Sequence, residues 1–258
     1  MKHLILFDVD GTLAPSTHQL QDHIKQALQE IMDKNGDTYD FGIVGGSSAE
    51  RIKWQLSAGS DDNNDQFLAQ FKWLFSENGL VAHKNEVKIH HQSLREAVPE
   101  RALQKVLDWS LKYIANLTGL PHKRGKFIDF RSGLIYITPC GSNVTQEERE
   151  TFARYDESHK IRETMIHAMH EELGEELQFD FQLGGQIGLG AHPKGWDKTY
   201  CLQHLKSDDG SYMYDKIYFI GDRCNPWGND FPLFSHPDTI GYATKNPEHT
   251  LEILAEIL

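Results

Sequence analysis

Residues 3–13 read HLILFDVDGTL, an apolar run that ends in two aspartates one residue apart, followed by Gly11-Thr12. Leu4-Ile5-Leu6-Phe7 has the length and uniform hydrophobicity of a strand buried on both faces of a parallel sheet. Side chains alternate along an extended segment, so Asp8 and Asp10 project to one side while Val9 points away. Two carboxylates crowded at the carboxyl end of such a strand repel each other and lose hydration, a cost that a divalent cation offsets. Gly11 lets the chain leave the strand through a turn closed to other residues, and its amide can approach a phosphate. A surface turn is the plain alternative for Asp-Val-Asp-Gly, since these residue types dominate turns. A calcium loop is another, but its remaining acidic ligands do not follow at the required spacing.

Working outward, 258 residues suffice for two domains or one large one, and 39% hydrophobic residues suffice for a packed core. Nothing is long and apolar enough to span a membrane, and no charged-then-apolar leader precedes the first strand, so secretion is not expected. Cys140, Cys201 and Cys224 are odd in number and lack metal-site spacing; they read as free thiols of a reducing, cytoplasmic compartment. A net charge of −12 argues against nucleic acid as the main partner. An acidic chain can still bind a phosphorylated metabolite where a few cations are gathered.

The pattern of the first stretch recurs. Helical spacing runs from Thr17 to Asn35, and Tyr39 to Val44 reads as a second buried strand. That strand enters Gly45-Gly46-Ser47-Ser48, and helical spacing resumes from Ala49 to Leu56, as in a βαβ unit. Ser47 stands where a hydroxyl and helix-start amides can hold phosphate oxygens, or where an ordinary N-cap would sit. A polar loop is expected over Ser57–Asp65, with core residues from Phe67 to Phe75 and a hairpin tip at 83–86.

From about Val87 the character changes. Pro99 to Leu117 is one amphipathic helix, and strands at 126–131 and 134–138 form an antiparallel hairpin around Ser132-Gly133. Thr145-Gln146-Glu147-Glu148 carries a capping-box pattern, a second amphipathic helix spans about 161–173, and Leu177 to Leu183 is a further strand. Parallel-sheet character then returns with a helix at 198–205, a buried strand at 216–220, another at 239–243 and a closing helix at 247–258.

Gly221-Asp222 repeats the logic of Asp8, a carboxylate at the carboxyl end of a buried strand, and Asp230 lies just beyond. Open parallel sheets bind ligands at those ends, so Asp8, Asp10, Ser47, Asp222 and Asp230 should converge there, with Lys198 in reach. Such a cluster suits Mg2+, a hard cation that takes a few carboxylates, waters and substrate phosphate oxygens. One aspartate can then attack phosphorus while a second handles the proton of the leaving oxygen.

The DVDGT, GGS, GWDK and GD…GND segments resemble the four signatures of the haloacid dehalogenase superfamily. FSENGLVA, KRGKFIDFRSG, TQEER, LGGQI, GWDKTYCL and GDRCNPWGND are similar, in order and spacing, to segments of eukaryotic-type phosphomannomutases. The resemblance implies an α/β fold: a Rossmann-like core with a parallel sheet over 1–85 and 188–258, and an inserted α+β cap over 86–187. It implies magnesium held by Asp8, the Asp10 carbonyl and Asp222, with Asp230 as a supporting acid. It also implies Asp8 as nucleophile, Asp10 as acid/base, and Ser47 and Lys198 on the transferred group. A phosphorylated sugar would be the substrate, gripped on the cap by Arg131 and Arg149, and a homodimer would form through the cap.

Five positions depart from that family pattern. Ser16 stands for an arginine, Tyr136 for a substrate asparagine, Ser142 for a phosphate-gripping arginine, and Gly188 and Gly190 for a serine and an aspartate that contact the sugar. The core chemistry is therefore complete while the sugar-reading shell is thinned. A phosphatase on the same core, with water as acceptor, is the alternative to a mutase. A non-catalytic binding protein is a third reading, opposed by the joint presence of Asp8, Asp10, Lys198 and Asp222.

Overall fold

The structure, a computed structural model, describes residues 2–57 and 64–258. In chain order its strands are β1 (His3–Phe7), β2 (Tyr39–Val44), β3 (Phe71–Ser76), β4 (Val81–Lys84), β5 (Val87–His91), β6 (Ile128–Phe130), β7 (Ile135–Ile137), β8 (Phe179–Gly184), β9 (Gly188–Pro193), β10 (Ile217–Gly221) and β11 (Ile240–Ala243). The chain divides into two units: Met1–His91 with Asp197–Pro226 and Asp230–Leu258, and Gln92–Trp196 with Trp227–Asn229.

The first unit is built on a seven-stranded sheet of order β11-β10-β1-β2-β3-β4-β5. Its members from β11 to β3 run parallel, and β4 and β5 add an antiparallel edge. β1 sits centrally, which explains why it reads as an unbroken apolar run: Leu4, Ile5, Leu6 and Phe7 are all fully buried. Alternate residues feed two cores. Ile5 and Phe7 pack with Ile24, Leu28, Ile52 and Ile253 of the flanking helices, while Leu4 and Leu6 pack with Trp73, Phe75, Leu202 and Phe219. The β4–β5 tip turns through Asn85 and Glu86, both left-handed, at φ 48° and 65°.

Two local expectations change. The first helix runs Asp22–Asn35 rather than from Thr17, because Thr17 is left-handed at φ 67° and Gln21 is extended. The segment Lys198–Leu205 is helical but wound as 3-10 turns, capped by the Asp197 side chain on the Thr199 amide. Residues 58–63 of the loop expected over Ser57–Asp65 lie outside the described residues, and the chain is helical over Asn64–Ala69.

The second unit is a four-stranded antiparallel sheet of order β6-β7-β9-β8 with helices Glu100–Asn116 and Ile161–Met169 on one face. Helix Gln146–His159 begins with the capping box that its sequence announces, Thr145 and Glu148 bonding reciprocally. This unit differs in extent from the span 86–187. Val87–His91 pairs with β4 in the first unit's sheet, and β9, which no alternating pattern announces, pairs with both β7 and β8. Its Gly188, Gly190 and Pro193 disguise it, since strands rarely carry such residues. Among the described residues no helix is long and apolar enough to cross a membrane.

Candidate functional site

β1 and β10 lie side by side in parallel register, Phe7 opposite Ile220, and the Asp8 amide donates to the Ile220 carbonyl at 2.9 Å. That register sets Asp8 level with Gly221, so the next residue, Asp222, emerges at the same end of the sheet. Asp230, N-cap of the short helix Phe231–Phe234, joins them. Carboxylate oxygens of Asp8, Asp222 and Asp230 all lie within 4.8 Å of one another. The close approach depends on Gly11, which at φ +80° is left-handed and would, with a Cβ, stand 2.5 Å from Asp222 Oδ2.

Lys198 is fully buried and donates to Asp8 and, at 2.5 Å, to Asp230 Oδ1. The second Asp230 oxygen accepts the Arg223 amide at 2.9 Å. Burial raises the Asp8 carboxyl well above its ordinary range, and Asp230 and Asp222 add to the rise against the pull of Lys198. Burial, the Asp230 charge and a hydrogen bond to Asp230 push Asp222 to about 7. Burial alone would lower the Lys198 ammonium, but Asp230 and Asp8 raise it above its ordinary value. Three carboxyls around one ammonium leave an excess of negative charge, which retains a proton unless a cation replaces it.

That donor set fits a hard divalent cation. The ligand atoms are carboxylate oxygens, they converge, and their raised proton affinity is the repulsion that a bound cation relieves. Among the described residues, Asp8, Asp222 and Asp230 are the side chains that converge closely enough to hold it.

Asp10 stands apart from this trio. Its Oδ1 accepts the Thr17 amide at 2.7 Å and the Gln55 side-chain amide at 2.8 Å. Gln55 lies on the buried side of helix Ala49–Leu56, and no periodic signal in the sequence marks it as a partner of Asp10. The Ser47 hydroxyl makes no hydrogen bond among the described residues. The cap of that helix is Ser48, whose side chain accepts from the Arg51 amide, while the Ser47 carbonyl accepts the Glu77 amide at 3.0 Å.

In the second unit, Arg131 Nε donates to Asp129 Oδ2 at 2.9 Å and its guanidinium carbon lies 4.3 Å from the centre of the Tyr136 ring. Arg149 Nη2 donates to the Ser142 carbonyl at 3.1 Å. Both arginines are thus held by neighbours no more than seven residues away in sequence, and both stay partly exposed.

Residues 28–258 match the family described as eukaryotic phosphomannomutase. The phosphomannomutase of Schizosaccharomyces pombe is 39% identical over 99% of this chain and 94% of its own length. That of Arabidopsis thaliana is 40% identical over 96% of this chain and 93% of its own. Among solved structures, a truncated, IMP-bound IMP-nucleotidase of Plasmodium falciparum superposes with TM-score 0.64 at 18% identity, over 99% of this chain and 68% of that one. The C-terminal domain of Candida albicans trehalose-6-phosphate phosphatase superposes with TM-score 0.59 at 15% identity, over 99% of this chain and 91% of that one. At such identities the two structures speak for the fold alone. With a match over nearly the whole length at about two residues in five, the chain belongs to the eukaryotic phosphomannomutase family.

Proposed function

We propose that this chain is a magnesium-dependent phosphomannomutase, moving a phosphoryl group between the 1- and 6-positions of a hexose phosphate through an aspartyl phosphate and a sugar bisphosphate. One observation carries the reading: Asp8, Asp222 and Asp230 converge around the buried Lys198 at the carboxyl ends of β1 and β10. Bound magnesium supplies positive charge that screens the repulsion between a carboxylate and a phosphoryl group.

The chain's own residues do the rest. An Asp8 carboxylate oxygen forms a bond to phosphorus as the ester bond to the sugar oxygen breaks. Asp10 gives a proton to that departing oxygen and takes one back from the sugar hydroxyl that later attacks the aspartyl phosphate. Thr17 and Gln55 hold Asp10 in one orientation for both transfers. Lys198 anchors Asp8 and opposes the rise in its proton affinity, and Ser47 offers a hydroxyl to the phosphoryl oxygens. Arg131 and Arg149 bind the substrate's phosphate, a planar fork of donors being well matched to it. The enzyme works as a homodimer in the cytoplasm.

A panel of hexose 1-phosphates, run with and without glucose 1,6-bisphosphate and followed for both isomer and inorganic phosphate, tests the reading. The mutase gives the 6-phosphate and depends on the bisphosphate. Inorganic phosphate without isomer would make the chain a phosphatase instead.

A further inference from the structure

The four-stranded sheet of the second unit has two unlike faces. Ile135, Ile137, Leu189, Ala191 and Phe181 lie in the helix-packed core, so alternation sends Asp129, Tyr136, Gly188 and Gly190 to the other face. There Tyr136 lies between Asp129 and Gly190 as their ladder partner. Its ring covers the β8–β9 turn. A Cβ on Gly188 would stand 2.3 Å from the Tyr136 Cζ, one on Gly185 2.8 Å from its hydroxyl, and one on Gly184 3.4 Å from the ring edge. The phenol donates to the Gly184 carbonyl at 2.9 Å. Beneath, the buried Arg162, paired with Asp156 at 2.7 Å, donates to the carbonyls of Gly188 and Gly185 at 3.1 and 3.3 Å. The ring therefore rests on the backbone of Gly184, Gly185 and Gly188, and a residue with any side chain at 188 is incompatible with it.

On this platform stands Arg131. Its Nε is committed to Asp129, its guanidinium packs over the Tyr136 ring at 4.3 Å, and its Nη groups make no hydrogen bond among the described residues. We propose that Tyr136, bedded on Gly184, Gly185 and Gly188, is the positioning residue for Arg131, fixing the guanidinium plane so that the two Nη groups are presented together to a substrate phosphate. The role rests on Arg131 being a substrate contact, as proposed above. A carboxylate on one edge and an aromatic plane beneath leave the guanidinium little rotational freedom to lose on binding. Tyr136 and Gly188 form one coupled unit, which accounts for both being changed together from the asparagine and serine of the family pattern.

Steady-state kinetics on mannose 1-phosphate with glucose 1,6-bisphosphate, comparing Arg131→Ala, Arg131→Lys, Tyr136→Phe, Tyr136→Leu and Gly188→Ala, test this. Tyr136→Phe keeps the ring and should leave KM unchanged. Tyr136→Leu should raise KM about fivefold, the size of a partly desolvated cation–π contact, with kcat nearly constant. Gly188→Ala should do the same by displacing the ring. Arg131→Lys, which leaves the glycine floor untouched, should raise KM and make the residue at 136 irrelevant, so that Tyr136→Leu adds nothing in that background. A raised KM in Arg131→Ala but not in Tyr136→Leu would overturn the positioning role and leave the mutase reading standing. An unchanged KM in Arg131→Ala would remove the substrate contact itself, and the positioning role with it. Equal effects of Tyr136→Leu with and without Arg131 would reduce the ring to filler and overturn the proposal.

Discussion

The acidic cluster of the first unit and the arginine-bearing face of the second carry charge in opposite ways. Asp8, Asp230 and Lys198 are buried and bonded to one another across 190 and 32 residues of sequence. Arg131 and Arg149 are half-exposed and bonded to neighbours two and seven residues away. The first arrangement is created by strand order, so only a fold can make it, and burial makes each charge strong and its loss severe. The second is assembled from local hairpin and loop contacts, so single substitutions can retune it. On the proposed roles, chemistry is built into topology and recognition into local packing, and four of the five departures from the family pattern, Tyr136, Ser142, Gly188 and Gly190, fall in the second unit while Ser16 falls in the first.

Substitutions can break that contrast, starting with the largest effect. Asp8→Asn should remove activity by about 10⁴-fold or more, as expected for loss of a nucleophile. Because burial already disfavours the charged form of Asp8, the magnesium-free variant should melt no lower than the parent in a thermal scan. Retained turnover would refute the nucleophile, and a collapsed fold would refute the electrostatics.

Asp10→Asn comes next, with a loss of about 10²–10⁴-fold for a displaced proton donor and acceptor. The hydrogen bonds from Thr17 and Gln55 can persist to the amide oxygen, so circular dichroism should be unaltered. A loss below tenfold would return the acid/base role to another group.

On the other side of the contrast, Arg149→Ala should, if Arg149 holds the substrate phosphate as proposed, remove a charged contact of about 1.5–3 kcal/mol and raise KM about tenfold to over a hundredfold. Among the described residues its side chain hydrogen-bonds only to the Ser142 carbonyl, so stability should hardly move. If melting temperature falls while KM is unmoved, Arg149 is a loop staple and not a substrate contact.

The smallest effect concerns pH. Asp222, pushed to about 7 by burial and Asp230, must give up its proton before it can ligate a cation. In the metal-free protein that raised value favours folding below about pH 4 and is lost as pH rises through 7. Magnesium should therefore bind up to about tenfold more tightly per unit of rising pH below 7, and stabilise the fold more at pH 7.5 than at 5.5. Titration calorimetry at the two values reads it directly, and a pH-independent affinity would place the cation elsewhere.

Much of the core was legible because its signals are local. HLILF followed by DVDG, and KIYFI followed by GD, each pair a uniformly apolar run with an abrupt carboxylate, and both meet in the structure as neighbouring strands. Gln55 on Asp10 and Ser48 rather than Ser47 as helix cap were not legible, since either serine fits the turn and a buried glutamine has no periodic signature. β9 escaped because its glycines and proline suppress the alternation by which strands are read.

By itself, then, the sequence of this protein determined where its acids must stand along their strands, because strand hydrophobicity and turn chemistry are properties of adjacent residues. Only the tertiary structure decided which acids meet, bringing Asp230 beside Asp8 and leaving the Asp10 side chain with Thr17 and Gln55. It also decided that Gly188 is bare because Tyr136 occupies its space. These are contacts between residues distant in the chain, fixed by strand register and excluded volume, and no run of neighbours encodes them.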